Sequence, residues 1–475
     1  MTMRKTKIIC TLGPSTDKEG VLESLMKAGM NVARCNFSHG SHEEHRERFE
    51  LVKRLRKKLG LYIPILLDTK GPEIRLGVFE DGMIELKEGQ EFTLVCGRDF
   101  EGTSQMVGIT YANLYKDVKV GTTILIDDGL VEMTVKEIDG SDIICTVINP
   151  GRISDRKGVN VPDVHINMEY LSKQDESDIL FGIENDVDYI AASFVRNKED
   201  VRMIRRILNE NGGEDIGIIA KIENSEGIAN IDEIIEAADA IMIARGDMGV
   251  ELPEEEVPVI QKMIIKKVYE AGKRVITATQ MLESMINNPR PTRAETADIA
   301  NAVYDGTSGI MLSGETAAGK YPIEALKTMV RIAERTEHDI NYKQRFFDTK
   351  KNESIDITEA VCHATCTTAY DLNAKAILTV TKSGRSARMI SRHRPECMVI
   401  AGATSEKVCR QLNLSWGVVP VLINEKKDLM DLIDYSVKVA KSEGLINIGD
   451  IVVVTAGMPL GVSGNTNVMK VHTVC

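Results

Sequence analysis

The sequence predicts an α/β protein: a (β/α)8 TIM barrel with an inserted small β-barrel lid domain and a C-terminal doubly wound α/β domain. Three observations lead there. Eight short, nearly continuous apolar runs recur along the first two-thirds of the 475 residues, as strands buried on both faces and therefore parallel do. Helical segments with start and stop signals separate them. Residues 71–168 interrupt the alternation with a period-two pattern.

The runs are Lys7–Leu12, Asn31–Phe37, Ile63–Asp68, Asp188–Phe194, Ile216–Glu223, Ala240–Asp247, Arg274–Gln280 and Gly309–Ser313. Among the helical segments, Asp17–Lys27 is closed by Gly29. Ser41-His42-Glu43-Glu44 and Thr292-Arg293-Ala294-Glu295 are capping boxes, and Ser172-Lys173-Gln174-Asp175 is a weaker one. Eight such units imply a barrel over residues 1–70 and 169–340, with its site at the C-terminal ends of the strands. In the insert, Val131-Glu132-Met133-Thr134-Val135-Lys136 alternates, and Asp127-Asp128-Gly129 and Asp139-Gly140 mark turns. A small antiparallel β domain leaving the barrel after strand three, at the active-site end, is placed to act as a lid. Residues 341–475 resume the α/β alternation on strands Ala376–Thr381, Met398–Ala401, Val418–Leu422 and Asp450–Thr455. The basic patch Arg388, Arg392, His393, Arg394 reads as a solvated helix face.

The net charge of -12 argues against nucleic-acid or membrane-surface binding, which wants a basic face. No apolar run approaches the roughly 18 residues of a membrane span, and Met1–Lys7 has no signal-peptide core. Nine cysteines with no CxxC pair fit a reduced, cytoplasmic protein, with Cys362 and Cys366 packed in the core. The sequons at Asn36 and Asn413 are then accidental.

Polar residues collect at six strand ends. Arg34 to Gly40 closes strand two, Asp68 to Arg75 strand three, Lys221 to Asn224 strand five and Arg245 to Asp247 strand six; Thr279 closes strand seven and Ser313 to Glu315 strand eight. Asp68, Glu223 and Asp247 are hard oxygen ligands expected to converge on Mg2+ or Mn2+. Lys221, Arg34 and Arg75 stand beside them. Carboxylates, a divalent ion and cations are what phosphoryl transfer requires, because its catalysis is mostly positioning and charge neutralisation. Thr279 and Ser313 are either ordinary satisfied hydroxyls or holders of a proton-donating water.

Several strings resemble the pyruvate kinase family: Asn31 to Gly40, Leu67 to Arg75, Lys157 to Pro162, Ala220 to Asn224, Ala244 to Glu251, Thr277 to Met285 and Met311 to Glu315. They run in family order along the whole chain. The resemblance implies transfer of the phosphoryl group of phosphoenolpyruvate to ADP, giving ATP and pyruvate, in a cytoplasmic homotetramer. It implies Glu223 and Asp247 as Mg2+ (or Mn2+) ligands and Asn36, Ser38, Asp68 and Thr69 as a K+ site, with Glu73 at the position that goes with K+ dependence. Lys221 would stabilise the phosphoryl group in flight; Gly246 and Asp247 would bind the substrate carboxylate beside Thr279. Thr279 and Ser313 would lie on the protonation path. Arg34, His39, Arg75, Lys157 and Asn160 would contact nucleotide or phosphate, the last two from the lid. Cys35 and Met248 stand where the family usually has leucine, and both are expected to pack into the barrel.

Thr381-Lys382-Ser383-Gly384-Arg385-Ser386 lies between a strand and a helix, either as a plain Ser cap or as an anion site. In the family such a loop resembles the clamp for a phosphorylated activator, a sugar phosphate or a nucleotide. Ala456–Gly461 offers no arginine or tryptophan for the other half of that clamp. The compact length is expected for a bacterial-type member without an extra C-terminal domain. Two rivals remain: another barrel enzyme handling phosphoenolpyruvate with Mg2+, which would need neither Lys157 on a lid nor the K+ set, and a metabolite-sensing paralogue, which would have lost Lys221, Glu223, Asp247 or Thr279.

Overall fold

The computed structural model describes residues 4–348, 356–460 and 464–475; Met1–Met3 and Gly461, named above, lie outside the described residues. The eight apolar runs close into one parallel barrel. In chain order its strands are Lys7–Thr11, Val32–Asn36, Ile65–Asp68, Tyr189–Ala192, Gly217–Ile222, Ala240–Ala244, Arg274–Ala278 and Gly309–Leu312. The eighth pairs with the first through Lys7↔Gly309. Apart from Asn36 every strand residue is buried, which is why the runs read as apolar without alternation. Ile9, Val32, Leu66, Ile219 and Met242 fill the interior, and Leu414 joins them from the C-terminal unit.

The three capping boxes form at Ser41, Ser172 and Thr292. The first predicted helix starts late, at Val21, because Gly20 takes a left-handed cap (φ 75°) and the Thr16 and Asp17 N–H groups turn back onto the Gly13 carbonyl.

The insert forms a seven-stranded sheet whose edges meet through a Leu76↔Ile109 bridge, with Gly77 N donating to Gly108 O at 2.7 Å. The sheet is antiparallel with one exception: Glu91–Cys96 pairs in parallel with Met106–Ile109, because the loop between them carries the chain back to the starting side.

In the C-terminal sheet the order is Val418–Leu422, Met398–Ala403, Ala376–Thr381, Ile451–Ala456, Val468–Thr473. Apolar clusters cover both faces, as in a doubly wound fold. The last strand, antiparallel to its neighbour, was not predicted; its run Val-Met-Lys-Val-His-Thr has no apolar–polar alternation to mark it, and Met469 and Val471 lie on its exposed side. The reading of Arg388–Arg394 as a solvated face is overturned. The C-terminal unit docks on the N-terminal ends of the barrel strands, and the patch lies in that joint. Arg392 donates to Glu270 O (2.7 Å) and Arg394 to Gly306 O (2.8 Å). Arg394 is buried, its guanidinium 4.6 Å from the centre of the Trp416 ring. Arg410 meets buried Asp188 at 2.7 Å, and Tyr189 donates from its hydroxyl to Gln411 O at 2.7 Å.

Candidate active site

Parallel register sets the site. Strands two and three bring Arg34 and Asp68 to one rim, and strand five adds Lys221 and Glu223. Arg34 Nε donates to Asp68 Oδ2 at 2.6 Å and its Nη1 to Thr11 Oγ1 at 2.9 Å. Lys221 Nζ donates to Asp68 Oδ1 (3.1 Å) and Ser193 Oγ (2.7 Å) and lies 3.0 Å from Glu223 Oε1. All four charged groups are buried. Burial alone would lower the Lys221 pKa, but Asp68 and Glu223 outweigh it and hold the ammonium charged, its pKa raised. Burial would likewise raise Asp68; Arg34 and Lys221 overcome it and keep this carboxyl below its usual value. Glu223 goes the other way: burial, with Asp247 repelling it, prevails over Lys221 and raises its pKa.

The expected three-carboxylate metal centre does not form. Among the described residues no three His, Cys, Asp or Glu side chains are grouped to hold an ion, because Asp68 is taken by Arg34, Lys221 and Ser193. Glu223 and Asp247 remain. Glu223 Oε2 accepts from Phe194 N at 2.5 Å, while its buried Oε1 has no hydrogen bond; the Lys221 contact is close but poorly directed. A bare buried carboxylate oxygen, on a group already repelled by a second carboxylate, fits a hard divalent cation. Two protein carboxylates suffice for Mg2+ when substrate and water supply the rest.

Asn36, Asp68 and Thr69 come together across strands two and three, with Ser38 in the loop beyond; Ser38 N donates to Asn36 Oδ1 at 3.2 Å, and the Thr69 carbonyl accepts from Ser193 Oγ at 2.6 Å. Glu73 is gripped by Arg75 through two bonds of 2.6 and 2.9 Å.

At strand seven Thr279 and Gln280 both have left-handed backbones, φ 67° and 53°. That is a strained state for a β-branched residue. Thr279 Oγ1 accepts from Gly246 N at 2.7 Å and donates to Ala278 O at 2.6 Å. Ser313 Oγ is buried and unpartnered, so it is not an ordinary satisfied hydroxyl.

A cleft of about 780 Å³ opens between the insert and the barrel, lined in part by His39, Arg75, Lys157, Asn160 and Asp247. Lys157 pairs with Asp127 at 2.8 Å, and Asn160 donates to Glu251 on the barrel at 3.3 Å. Asp247 is common to the cleft and to the buried charge cluster.

One residue was missed, and one was placed at a strand end without a role. Ser193 ends strand four and joins Lys221, Asp68 and Thr69; the rule that selected the other strand ends would have found it. Buried Arg245 donates to Thr279 O (2.7 Å) and Ala278 O (3.4 Å) and pairs with Asp298 (2.7 Å), so it clamps the strained turn. The sequence places it at the end of strand six, but nothing there shows that it turns toward the strand-seven turn.

In the C-terminal sheet, Thr381, Lys382, Ser383 and Ser386 line a second cavity of about 360 Å³. Gly384, φ 78°, caps the helix that follows. Arg385 instead faces Asp356 at 3.8 Å. Lys426 and Lys427, which the sequence reading overlooked, line the same cavity, beside Glu425.

Comparison with known proteins identifies the family. The family descriptions "Pyruvate kinase, barrel domain" and "Pyruvate kinase, alpha/beta domain" match residues 3–326 and 359–472. The chain is 53% identical to a pyruvate kinase of Clostridium acetobutylicum, over 99% of this chain and 100% of that one. It is 50% identical to the pyruvate kinase of Geobacillus stearothermophilus, covering 99% of this chain and 80% of the other. The crystal structure of a pyruvate kinase from Cryptosporidium parvum superposes with a TM-score of 0.94 at 40% identity, over 99% of this chain and 96% of that one.

Proposed function

Because the chain belongs to the pyruvate kinase family, we propose that its cleft binds phosphoenolpyruvate and ADP and releases pyruvate and ATP. The protein is a phosphotransferase. The observation that carries the reading is Lys221, a buried ammonium held between Asp68 and Glu223 at the barrel mouth. The phosphoryl group leaves the enol oxygen for a terminal phosphate oxygen of ADP, and the enolate left behind takes a proton at its methylene carbon. Lys221 and Arg34 stabilise the charge on the group in transit. Gly246 and Asp247 at the start of their short helix, with Thr279, seat the substrate carboxylate. Thr279 and unpartnered Ser313 lie on the proton's route. His39, Arg75, Lys157 and Asn160 receive the nucleotide, the last two from the lid.

Glu223 and Asp247 would hold Mg2+ or Mn2+, which when bound neutralises phosphate charge. Asn36, Ser38, Asp68 and Thr69 would hold K+, with Glu73 neutralising Arg75 nearby. The second cavity, lined by Ser383, Ser386, Lys426 and Lys427, takes a phosphorylated activator. Homotetramer assembly is supported by the open edge strand Val468–Thr473, which exposes Met469 and Val471. A cytoplasmic location is supported by nine free thiols, seven of them buried.

The test is pyruvate release coupled to lactate dehydrogenase, with Mg2+, in K+ or Na+, with and without fructose 1,6-bisphosphate, ribose 5-phosphate and AMP. ADP-dependent pyruvate formation is expected. Folded protein that forms none under any condition would leave the sensing paralogue as the better reading.

A further inference from the structure

The loop Phe37–Ser41 carries two kinds of site residue, the K+ candidate Ser38 and the nucleotide candidate His39, with Asn36 on the strand before it. Its own backbone holds it weakly. Phe37 N donates to Asp68 O (2.9 Å), His39 N reaches Asn36 O at only 3.4 Å, and Gly40 is left-handed at φ 86°. What fixes it comes from the helix His42–Leu59. His45, 2% exposed, donates from Nε2 to His39 O at 2.9 Å. The same ring stacks on Phe37, centroids 3.9 Å apart and planes at 11°. His45 thus grips the loop twice, by a carbonyl at its outer end and by an aromatic ring at its inner end. Phe49 and Phe181 complete the cage around Phe37, each about 6 Å away. The neighbouring His42 braces the helix start, stacked on Phe181 (4.3 Å) and bonded through Nε2 to buried Asp178 at 2.6 Å.

We propose that His45 is a positioning residue for the reaction: it touches neither substrate nor ion, and sets the affinity for ADP and for the monovalent cation by fixing the loop that bears Ser38 and His39. The inference rests on the pyruvate kinase reading of those residues. The geometry makes it specific, because the side chains of the Lys221 cluster are held by one another across strands two to five, and the loop meets that cluster only through the backbone bond from Phe37 N to Asp68 O, which His45 does not make. Losing the grip therefore weakens ADP and K+ binding and spares the handling of phosphoenolpyruvate.

The experiment compares the parent enzyme with His45→Phe, which keeps the ring and loses the donor, and His45→Gln, which keeps a donor at Nε2 reach and loses the ring. For His45→Phe the K+ half-activation constant and the KM for ADP should rise about five- to ten-fold, the effect of one ordinary hydrogen bond. The kcat at saturation and the KM for phosphoenolpyruvate should stay within about two-fold. His45→Gln should recover part of the ADP and K+ loss. Calorimetric titration of Mg-ADP, and the rise of Tm on exchanging Na+ for K+ at constant ionic strength, read the same affinities without turnover. A purely structural role predicts instead a lower Tm with ADP and K+ constants within two-fold of the parent, and that result overturns the proposal. If His45→Phe does not fold, His45→Met carries the same expectation. If the parent itself shows no K+ effect on rate or Tm, the cation reading has failed separately and the ADP arm alone decides.

Discussion

Replacing Lys221 with methionine tests the core of the catalytic reading. The side-chain length and most of the packing are kept; the charge is lost. A unit charge acting at about 4 Å in an effective dielectric near 20 is worth about 4 kcal/mol, which corresponds to about a thousand-fold in rate. The site is buried, so solvent screening removes little of that. In Lys221→Met, kcat should fall about a thousand-fold. The KM for ADP should move far less, since His39, Arg75, Lys157 and Asn160 lie in the insert and in the loop after strand two. The fold should survive, because Arg34 still bonds Asp68 at 2.6 Å and Phe194 N still bonds Glu223. The assay is coupled pyruvate release on protein whose circular dichroism and Tm match the parent. A kcat within ten-fold of the parent, on folded protein, would refute the role assigned to Lys221.

Three further outcomes follow from the geometry. Arg245→Met should lower kcat by about ten- to a hundred-fold through Thr279, while Arg245→Lys recovers part of it; equal kcat for parent and both variants would remove Arg245 from the account. Alanine at both Lys426 and Lys427 should leave the basal rate unchanged and abolish any response to a phosphorylated activator in the coupled assay, and a retained response would place that ligand elsewhere. Buried Lys7 donates to Val418 O at 2.7 Å, and burial lowers its pKa to about 7; a folded pKa below the unfolded one makes stability rise with pH between about 7 and 10.5, at up to about 1.4 kcal/mol per unit. Lys7→Met should flatten that slope in urea unfolding from pH 7 to 9, and an unchanged slope would show that Lys7 is not its source.

The barrel was legible because strands buried on both faces leave unbroken apolar runs, and the candidate site could be sought because such a fold gathers its strand ends on one rim. That logic reached Arg34, Asp68, Lys221 and Glu223, which the structure brings into direct contact. It placed Asp68 among metal ligands because sequence gives residue type and strand, not competition: only the coordinates show two cations and Ser193 already on that carboxylate. Arg388–Arg394 failed for a related reason. A basic helix face reads as solvated unless one knows that another domain lies against it, and sequence does not report which surfaces of two domains meet. Lys426 and Lys427 were missed because a loop far along the chain closes the cavity, and no local pattern marks it.

The charge count at the barrel mouth gives a physical reason for the cations proposed above. Asp68, Glu223 and Asp247 face Lys221 and Arg34, three negative groups against two positive. Burial raises the pKa of Glu223 against the pull of Lys221, and repulsion from Asp247 adds to the rise. Phosphoenolpyruvate and ADP would each bring further negative charge to the same place. Protein side chains alone cannot neutralise them, because Arg75 is bound to Glu73 and Lys157 to Asp127. The same arrangement favours both proposed ions: a divalent one that would discharge Glu223 and Asp247 against the phosphates, and a monovalent one near Asp68. A variant that lowers the surplus, such as Glu223→Gln, should therefore lose Mg2+ affinity without becoming a better binder of phosphoenolpyruvate in metal-free buffer. Tighter metal-free binding by that variant would mean that repulsion by Glu223 alone, and not the want of a bridging cation, is what keeps the substrate out.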